Sequence, residues 1–416
     1  MSNQQLLSEI TAVLKTLNKP GEIPKLMYPQ NPFLAVVPKD EDYAGDSLKV
    51  PLQFAPTAGV SPVFGDAQAA KAGTSNAAFT VTTNDLYSLF SINRKSAMAT
   101  RNDEGAFVKL IKHETDGAKK AFGMVLGKAL FGNGGGSLGR VASGGGTTSI
   151  VLTEYSDVVN FYRNMQVQGS TTDGTSGAVI ANISTLTAVD RDDPASLTAG
   201  AAFDATAFAN GNHIFLRGAF GQYVDGLSAW VPAAAPSATL FNGVDRTDDT
   251  VMLGGVRYDA VASEDINLEQ YLMHLSARIG LHGGTPDLCI MHPLTVNLLL
   301  RQLSNKVEYD RMAASGTKGS IPEIGFKTLK LIVETGELDV LSDRNCPRDR
   351  VYMLTKNTLR LTSMGPLMGF LHYGDDDSDF MRHASEDAME GRTGGYMQLY
   401  CDAPGWNGTG DISELL

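Results

Sequence analysis

The feature that most constrains this chain is a connection, the 22 residues PTAGVSPVFGDAQAAKAGTSNA from Pro56 to Ala77. It joins two segments of strand character. In SLKVPLQF, Leu48, Val50, Leu52 and Phe54 alternate with other residues, the pattern of a strand with one buried face. In AFTVTTNDLYSLFSI, Phe79 and Val81 alternate before a less regular apolar stretch. The two read as a long antiparallel hairpin whose tip is mostly Ala, Gly, Ser and Thr. An isolated two-stranded hairpin is marginal in water, and such a tip buries too little to offset the entropy of ordering it. It is therefore either disordered or laid on a surface supplied from elsewhere. A hairpin this long looks built for a neighbouring subunit.

The flanking segments carry a similar implication. Residues 5–17 place Leu6, Leu7, Ile10, Val13, Leu14 and Leu17 on a helical stripe that stops at Asn18-Lys19-Pro20-Gly21. Such a helix packs on its own domain or grips another chain. Residues 20–46 follow as an extended arm. Beyond the hairpin, Phe107, Leu110, Ile111, Ala118, Ala121, Phe122 and Val125 predict a helix over 102–131, with Asn102 as N-cap and Asp103 and Glu104 at the positive end of its dipole. About 30 residues at 1.5 Å each make a rod of about 45 Å. The apolar stripe is interrupted for one turn, where Glu114 and Thr115 stand. Gly117, Gly123 and Gly127 mark places for close packing or a bend.

GNGGGSLGR, from Gly132 to Arg140, contains G-x-G-x-x-G. A phosphate-binding glycine loop follows a strand and opens a helix, so that the helix N-terminus faces the anion. These glycines instead follow a helix, at the end of the wrong partial charge. Gly132 is expected to stop the helix, the rest to form a flexible connection, and no phosphate site is expected.

Residues 145–262 lack Lys and contain the β-like runs TSIVL, MQVQG, AVIANIS, NHIFLRG and VMLGGVRYDAV between turn signals. They read as a β-rich insertion, a small barrel or sandwich. INLEQYLMHLSARIGLHGG predicts a helix, PDLCIMHP a short buried strand and LTVNLLLRQL a second helix. KTLKLIVET, DRVYMLT and NTLRLTS predict strands, GDDDSDFMRHASEDAMEGRTGG a polar excursion, and YMQLYCDAP a last strand. The class is α+β.

Chemistry is sparse. A net charge of −12 argues against a general nucleic-acid binder, because phosphate contacts need clustered Lys and Arg. Cys289, Cys346 and Cys401 are far apart without C-x-x-C and read as buried free thiols in a reducing compartment. His113, His213, His274, His282, His292, His372 and His383 include no H-E-x-x-H, and read as structural or surface residues. Asp375, Asp377, Asp379 and Glu386 fall at positions 1, 3, 5 and 12 of an EF-hand-like loop, but Phe380 stands where Gly is needed. A solvated or subunit-facing acidic patch fits better. No cofactor, metal site or catalytic motif is expected, although motif reading leaves a scattered triad open. The N-terminus lacks the features of a signal peptide, and no stretch approaches the roughly 20 apolar residues that cross a bilayer. No membrane association is expected, and the chain is expected to be made in the cytosol.

The order of elements resembles that of tailed-bacteriophage major capsid proteins of the Hong Kong 97-type fold. The two strands with their long connection resemble that family's extended loop, and Asn102–Phe131 closing in LFGNGGG its spine helix. DGLSAWVP (225–232), LFNGVDRT (240–247) and GLHGGTPDLCIMHPLTVNLL (280–299) resemble segments leading into and forming its axial domain. YCDAPGWNGTGDISEL (400–415) is similar to the family's C-termini. The resemblance implies an N-terminal arm over 1–46, an extended loop over 47–92, and a peripheral domain over 93–140 and 327–400. It further implies a β-rich insertion and start of the axial domain over 145–262, with the axial domain proper in 263–326 and 401–416.

The implied role is an icosahedral shell of hexamers and pentamers around packaged double-stranded DNA, held without sequence-specific contacts. Implied partners are a separate scaffolding protein, a portal and decoration proteins, with assembly in the host bacterial cytoplasm and residence in the virion. Some relatives cross-link an extended-loop Lys to an Asn. Lys71 is the one Lys in the connection, but no matching Asn or assisting acid stands out, so that chemistry is not carried over. Rival readings are an encapsulin-type nanocompartment, a soluble β-rich enzyme with a scattered site, and a tail-tube or adhesin subunit. The residues expected at contacts between subunits are Leu6, Ile10 and Leu14 in the arm, Val60, Phe64 and Lys71 in the loop, and the patch Asp375, Asp377 and Asp379.

Overall fold

The computed structural model describes residues 31–95, 104–303, 329–371, 380–382 and 385–416. The arm helix over 5–17, Asn102 and Asp103, and Asp375, Asp377 and Asp379 lie outside the described residues. The described chain enters through α1 (Pro32–Val36), whose buried Phe33 lies against Phe131 with ring centroids 5.2 Å apart. After the short strand β1 (Lys39–Asp40) come β2 (Leu48–Ala55) and β3 (Ser75–Val81). These pair antiparallel as a two-stranded sheet with Val50 opposite Phe79. The connection has structure of its own: α2 (Phe64–Ala69) forms where Asp66 sits in the first turn and Ala67, Gln68 and Ala69 favour helix. Thr57 Oγ1 donates to Ala72 O at 2.6 Å and closes the loop below it.

The single second strand expected through Ile92 is divided. β4 (Asn84–Asn93) leaves the hairpin and pairs over ten positions with the long strand near the C-terminus. The physical reason is cover. Leu86, Phe90 and Ile92 need a packed sheet, and the hairpin offers only one partner strand. Asn84 also donates to Tyr223 O, which fixes the turn.

α3 (Glu104–Ala129) runs unbroken past the polar turn at Glu114-Thr115, within the helix expected over 102–131. Its hydrogen bonds do not need an apolar residue in every turn, and Glu is a good helix former. Ala118, Phe122 and Val125 are buried as the stripe predicts. The helix end differs from expectation. Phe131 N and Gly132 N bond back to Lys128 O and Ala129 O, a tightened last turn, and the left-handed positions are Gly134 and Gly136 at φ 83° and 87°. The loop is not a flexible connection: a Cβ at Gly135 would strike Asp173 O, and one at Gly136 would strike Ala219 O.

That packed loop feeds the insertion. β5 (Ser137–Ser143), β6 (Ser149–Leu152), β7 (Gln166–Ser170), β8 (Ser184–Asp190), β9 (Ser196–Ala199) and β10 (His213–Leu216) close into a barrel in the order β10-β5-β6-β9-β8-β7. Val141, Ile150, Leu152, Val167, Leu186, Leu197 and Ile214 fill its core, and closure leaves no open edge. The barrel occupies 137–216, beginning ahead of residue 145. Beyond it are mainly turns, with α4 (Leu227–Trp230) and β11 (Val256–Arg257). VMLGGVRYDAV yields only β11, because Asp249 Oδ1 accepts from Val251 N and Met252 N and holds the run in a turn.

α5 (Leu268–Leu281) starts at Asn267, whose side chain accepts from Gln270 N at 3.0 Å. β12 (Leu288–Met291) and α6 (Pro293–Leu303) follow as expected. Then come β13 (Leu329–Val333), β14 (Gly336–Ser342), β15 (Arg350–Leu354), β16 (Leu359–Ser363), β17 (Gly369–Phe370), β18 (Phe380–Arg382), β19 (Ala388–Cys401) and β20 (Gly408–Asp411). One sheet, β11-β20-β15-β12-β14-β13, lies against α5 and draws strands from both sides of residue 327. The other is centred on β19, with β4 along one edge and β16, β17 and β18 along the other. Part of the expected polar excursion is strand here, because aromatic rings from β4 cover its glycines, Phe90 over Gly391 and Tyr87 over Gly394. One apolar core joins the hairpin root, α3 and the barrel, and a second lies beneath α5.

Candidate assembly surfaces

The hairpin has a rigid root and an unsatisfied tip. At the root, Phe79 is fully buried, with its ring 5.1 Å from Trp230 and 6.2 Å from Phe241 between centroids. Trp230 Nε1 donates to Leu399 O at 2.9 Å, so the socket is tied to β19. Phe241 stands on a tight turn with Asn242 and Gly243 at positive φ, and Thr80 N donates to Asn242 O. Arg246 lies 4.1 Å over the Phe241 ring, and burial pushes its guanidinium down to about 10, with Arg257 adding to the effect and Asp225 opposing it. Burial raises the Asp225 carboxyl, while Asn242, Gln398 and Arg246 pull it back.

The tip is the opposite. Val60 is 86% exposed, Phe64 82% and Val63 55%. Full burial of such side chains is worth roughly 1.5–3 kcal/mol each, which the isolated chain forgoes. Lys71 is also exposed, and its Cα lies where a Cβ on Gly59 would touch it across the loop. Val60, Phe64 and Lys71 are thus each exposed in the connection, as is Val63. Leu6, Ile10 and Leu14 of the arm and Asp375, Asp377 and Asp379 fall outside the described residues.

A second apolar surface escaped sequence reasoning. β4 presents Tyr87 and Leu89 outward, 47% and 57% exposed, while Ile92 and the Ser88 hydroxyl, which donates to Ala118 O, turn inward. Tyr87 meets Tyr396 edge-on across the strands at 6.1 Å. The less regular apolar run after Val81 was the available signal, since a strand apolar on both faces loses its alternation. Ile332 on β13 and Leu281 at the end of α5 are also exposed.

Among the described residues no group of three His, Cys, Asp or Glu is placed to hold a metal. No helix among them is long and apolar enough to cross a membrane. His292 is pushed down to about 4 by burial, with Arg348 and Lys128 adding to the effect. Cys289, Cys346 and Cys401 are buried and free, and burial raises all three thiols, that of Cys401 to about 12. The native protein should therefore show no thiol reactive to an aromatic disulfide reagent at pH 8, and three after unfolding; a reactive native thiol would mean that one of these sites opens.

No protein-family model matches the sequence, and no curated protein sequence matches it. Solved structures do. The capsid asymmetric unit of cyanophage A-1(L) superposes over 91% of each chain with a TM-score of 0.50 at 11% identity. The holo-SrpI encapsulin complex of Synechococcus elongatus PCC 7942 covers 97% of this chain and 94% of its own, with a TM-score of 0.47 at 8% identity. A phage G structure of major capsid proteins with decoration proteins covers 99% of each chain, with a TM-score of 0.42 at 9% identity. The chain has the Hong Kong 97-type capsid fold, with a six-stranded barrel inserted after its long helix.

Proposed function

We propose that this protein is the major capsid protein of a tailed bacteriophage. It assembles as hexamers and pentamers into an icosahedral shell around packaged double-stranded DNA. The observation that carries the reading is the hairpin, rooted by Phe79 in the chain's own core while Val60, Val63 and Phe64 stand in solvent at its tip. On a chain of capsid fold, a neighbouring copy is the natural cover for that tip and for Tyr87 and Leu89. The arm with Leu6, Ile10 and Leu14 and the acidic run Asp375, Asp377 and Asp379 serve further subunit contacts in this reading. A net charge of −12 keeps the shell from gripping the DNA it encloses. The role is structural, with no cofactor. A scaffolding protein guides assembly in the host cytoplasm, a portal completes the shell, and decoration proteins join it in the virion.

The test is to express the chain alone and with its neighbouring genes, measuring particle mass by light scattering and imaging stained grids. Closed shells of megadalton mass are the expected result, with copurified nucleic acid or a portal separating a phage head from a cargo-filled compartment. A stable monomer under both conditions overturns the proposal and returns the scattered-site enzyme to the front.

A further inference from the structure

Where the barrel meets the end of α3 and the β14–β15 connection lies a charged cleft of about 230 Å³. Four cations line it, Lys128, Arg140, Arg344 and Arg348, against three carboxylates, Glu154, Asp157 and Asp349. The chain as a whole has the reverse balance, with 34 Lys and Arg against 46 Asp and Glu. One pair is internal: Lys128 and Asp157 meet at 3.0 Å, each side chain 19% exposed. Gly139 leaves room for that pair, since a Cβ there would lie 3.2 Å from the Asp157 Cβ.

The arginines are not used in this way. Among the described residues none of the three makes an ion pair: the Arg140 guanidinium donates to Gly211 O, and Arg344 Nε is buried with no acceptor. Burial lowers the Arg344 guanidinium, Asp343 opposes this and Arg191 adds to it. Burial, Asp157 and Asp349 raise the Glu154 carboxyl, and Arg348 draws it back only in part. A buried guanidinium nitrogen without an acceptor is costly, and the fork it belongs to matches the oxygens of a carboxylate or a phosphate. The number of donors favours phosphate. Arg140 comes from β5, and Arg344 and Arg348 come from the β14–β15 connection, so the guanidiniums offer more donors than two carboxylate oxygens can accept. The volume is below the roughly 300–1,000 Å³ of small-molecule sites, which suits a head group and not a cofactor-sized ligand.

We propose that this cleft is a phosphate-binding site, with the anion held by the guanidiniums of Arg140, Arg344 and Arg348. Ser137 to Arg140 are the tail of the glycine-rich run, but the donors are side chains and not the backbone amides of a helix N-terminus. Glu154 and Asp349 oppose the anion and limit its affinity. Bound phosphate ties the barrel to the β14–β15 connection. The site lies within one chain and does not depend on whether shells form.

Thermal melts of the purified full chain in sodium phosphate, against sodium acetate and sodium chloride at matched pH and ionic strength, test this. Phosphate should raise the melting temperature in a saturable way, and the other two anions should not. Arg344→Gln with Arg348→Gln should weaken the apparent phosphate affinity at least tenfold, whereas Glu154→Gln should tighten it severalfold. Those opposite shifts guard against a folding defect, which would weaken binding in every variant. Competition with an oligothymidylate reads the source of the phosphate: displacement identifies a nucleic-acid phosphodiester, undisturbed binding identifies the free ion, and both uphold the site. A response to phosphate no larger than that to acetate overturns the proposal, as does an equal response in the native chain and the double arginine variant.

Discussion

Replacing residues 57–73 by a short Gly-Ser turn should abolish shell formation while leaving a folded chain. The segment contributes little to the chain's own core: Val60, Val63 and Phe64 are exposed, and α2 buries no residue. Thermal unfolding should therefore shift by a few degrees at most. Against a neighbour the balance reverses. Three apolar side chains at roughly 1.5–3 kcal/mol each amount to about 5 kcal/mol or more per tip. At about 1.4 kcal/mol per decade, that is three orders of magnitude or more in each contact's association constant. A shell repeats the contact at every subunit, so the loss compounds. β3 begins at Ser75, so this deletion spares the paired strands that a cut through Ala77 would damage. Light scattering and a thermal melt on the same preparation decide the matter, and shells of normal yield would sink the hairpin's role in assembly.

What the sequence made legible followed from periodicity. Leu48, Val50 and Phe79 marked the hairpin strands by alternation, and Ala118, Phe122 and Val125 marked the long helix by helical spacing. Connections were harder. The glycine run after α3 looked loose because glycine permits freedom, yet Gly135 and Gly136 are there because backbone carbonyls from Asp173 and Ala219 lie against them. That is a property of distant residues and leaves no local mark. β20, Gly408–Asp411, escaped for a related reason. It pairs on both sides and a Cβ on Gly410 would strike Tyr258 O, so it has no apolar alternation to read. The site residues divide likewise. Val60 and Phe64 stood out as the large side chains of a small-residue tip. Tyr87 and Leu89 were hidden because their strand is apolar on both faces, and which face is left open depends on the pairing with β19.

The largest stability effect is expected from Phe79→Ala. The ring is fully buried between Trp230 and Phe241, and its removal leaves a cavity under the hairpin root that the tied socket cannot close. Loss of a buried Phe costs about 3–5 kcal/mol, a sizeable share of the 5–15 kcal/mol that holds a typical domain. Unfolding should move down by roughly 5–15 °C, with a change in Trp fluorescence because Trp230 loses a packed face. Phe64→Ala in the same hairpin makes the complementary case. That ring is 82% exposed, so its removal should leave the melting temperature within about 1 °C while cutting shell yield sharply. The same chemical change at two phenylalanines of one hairpin thus separates what the hairpin does for its own chain from what it does for the next. If Phe64→Ala lowered the melting temperature as far as Phe79→Ala, the tip would be packed on its own chain, and the argument for a neighbour beneath it would fail.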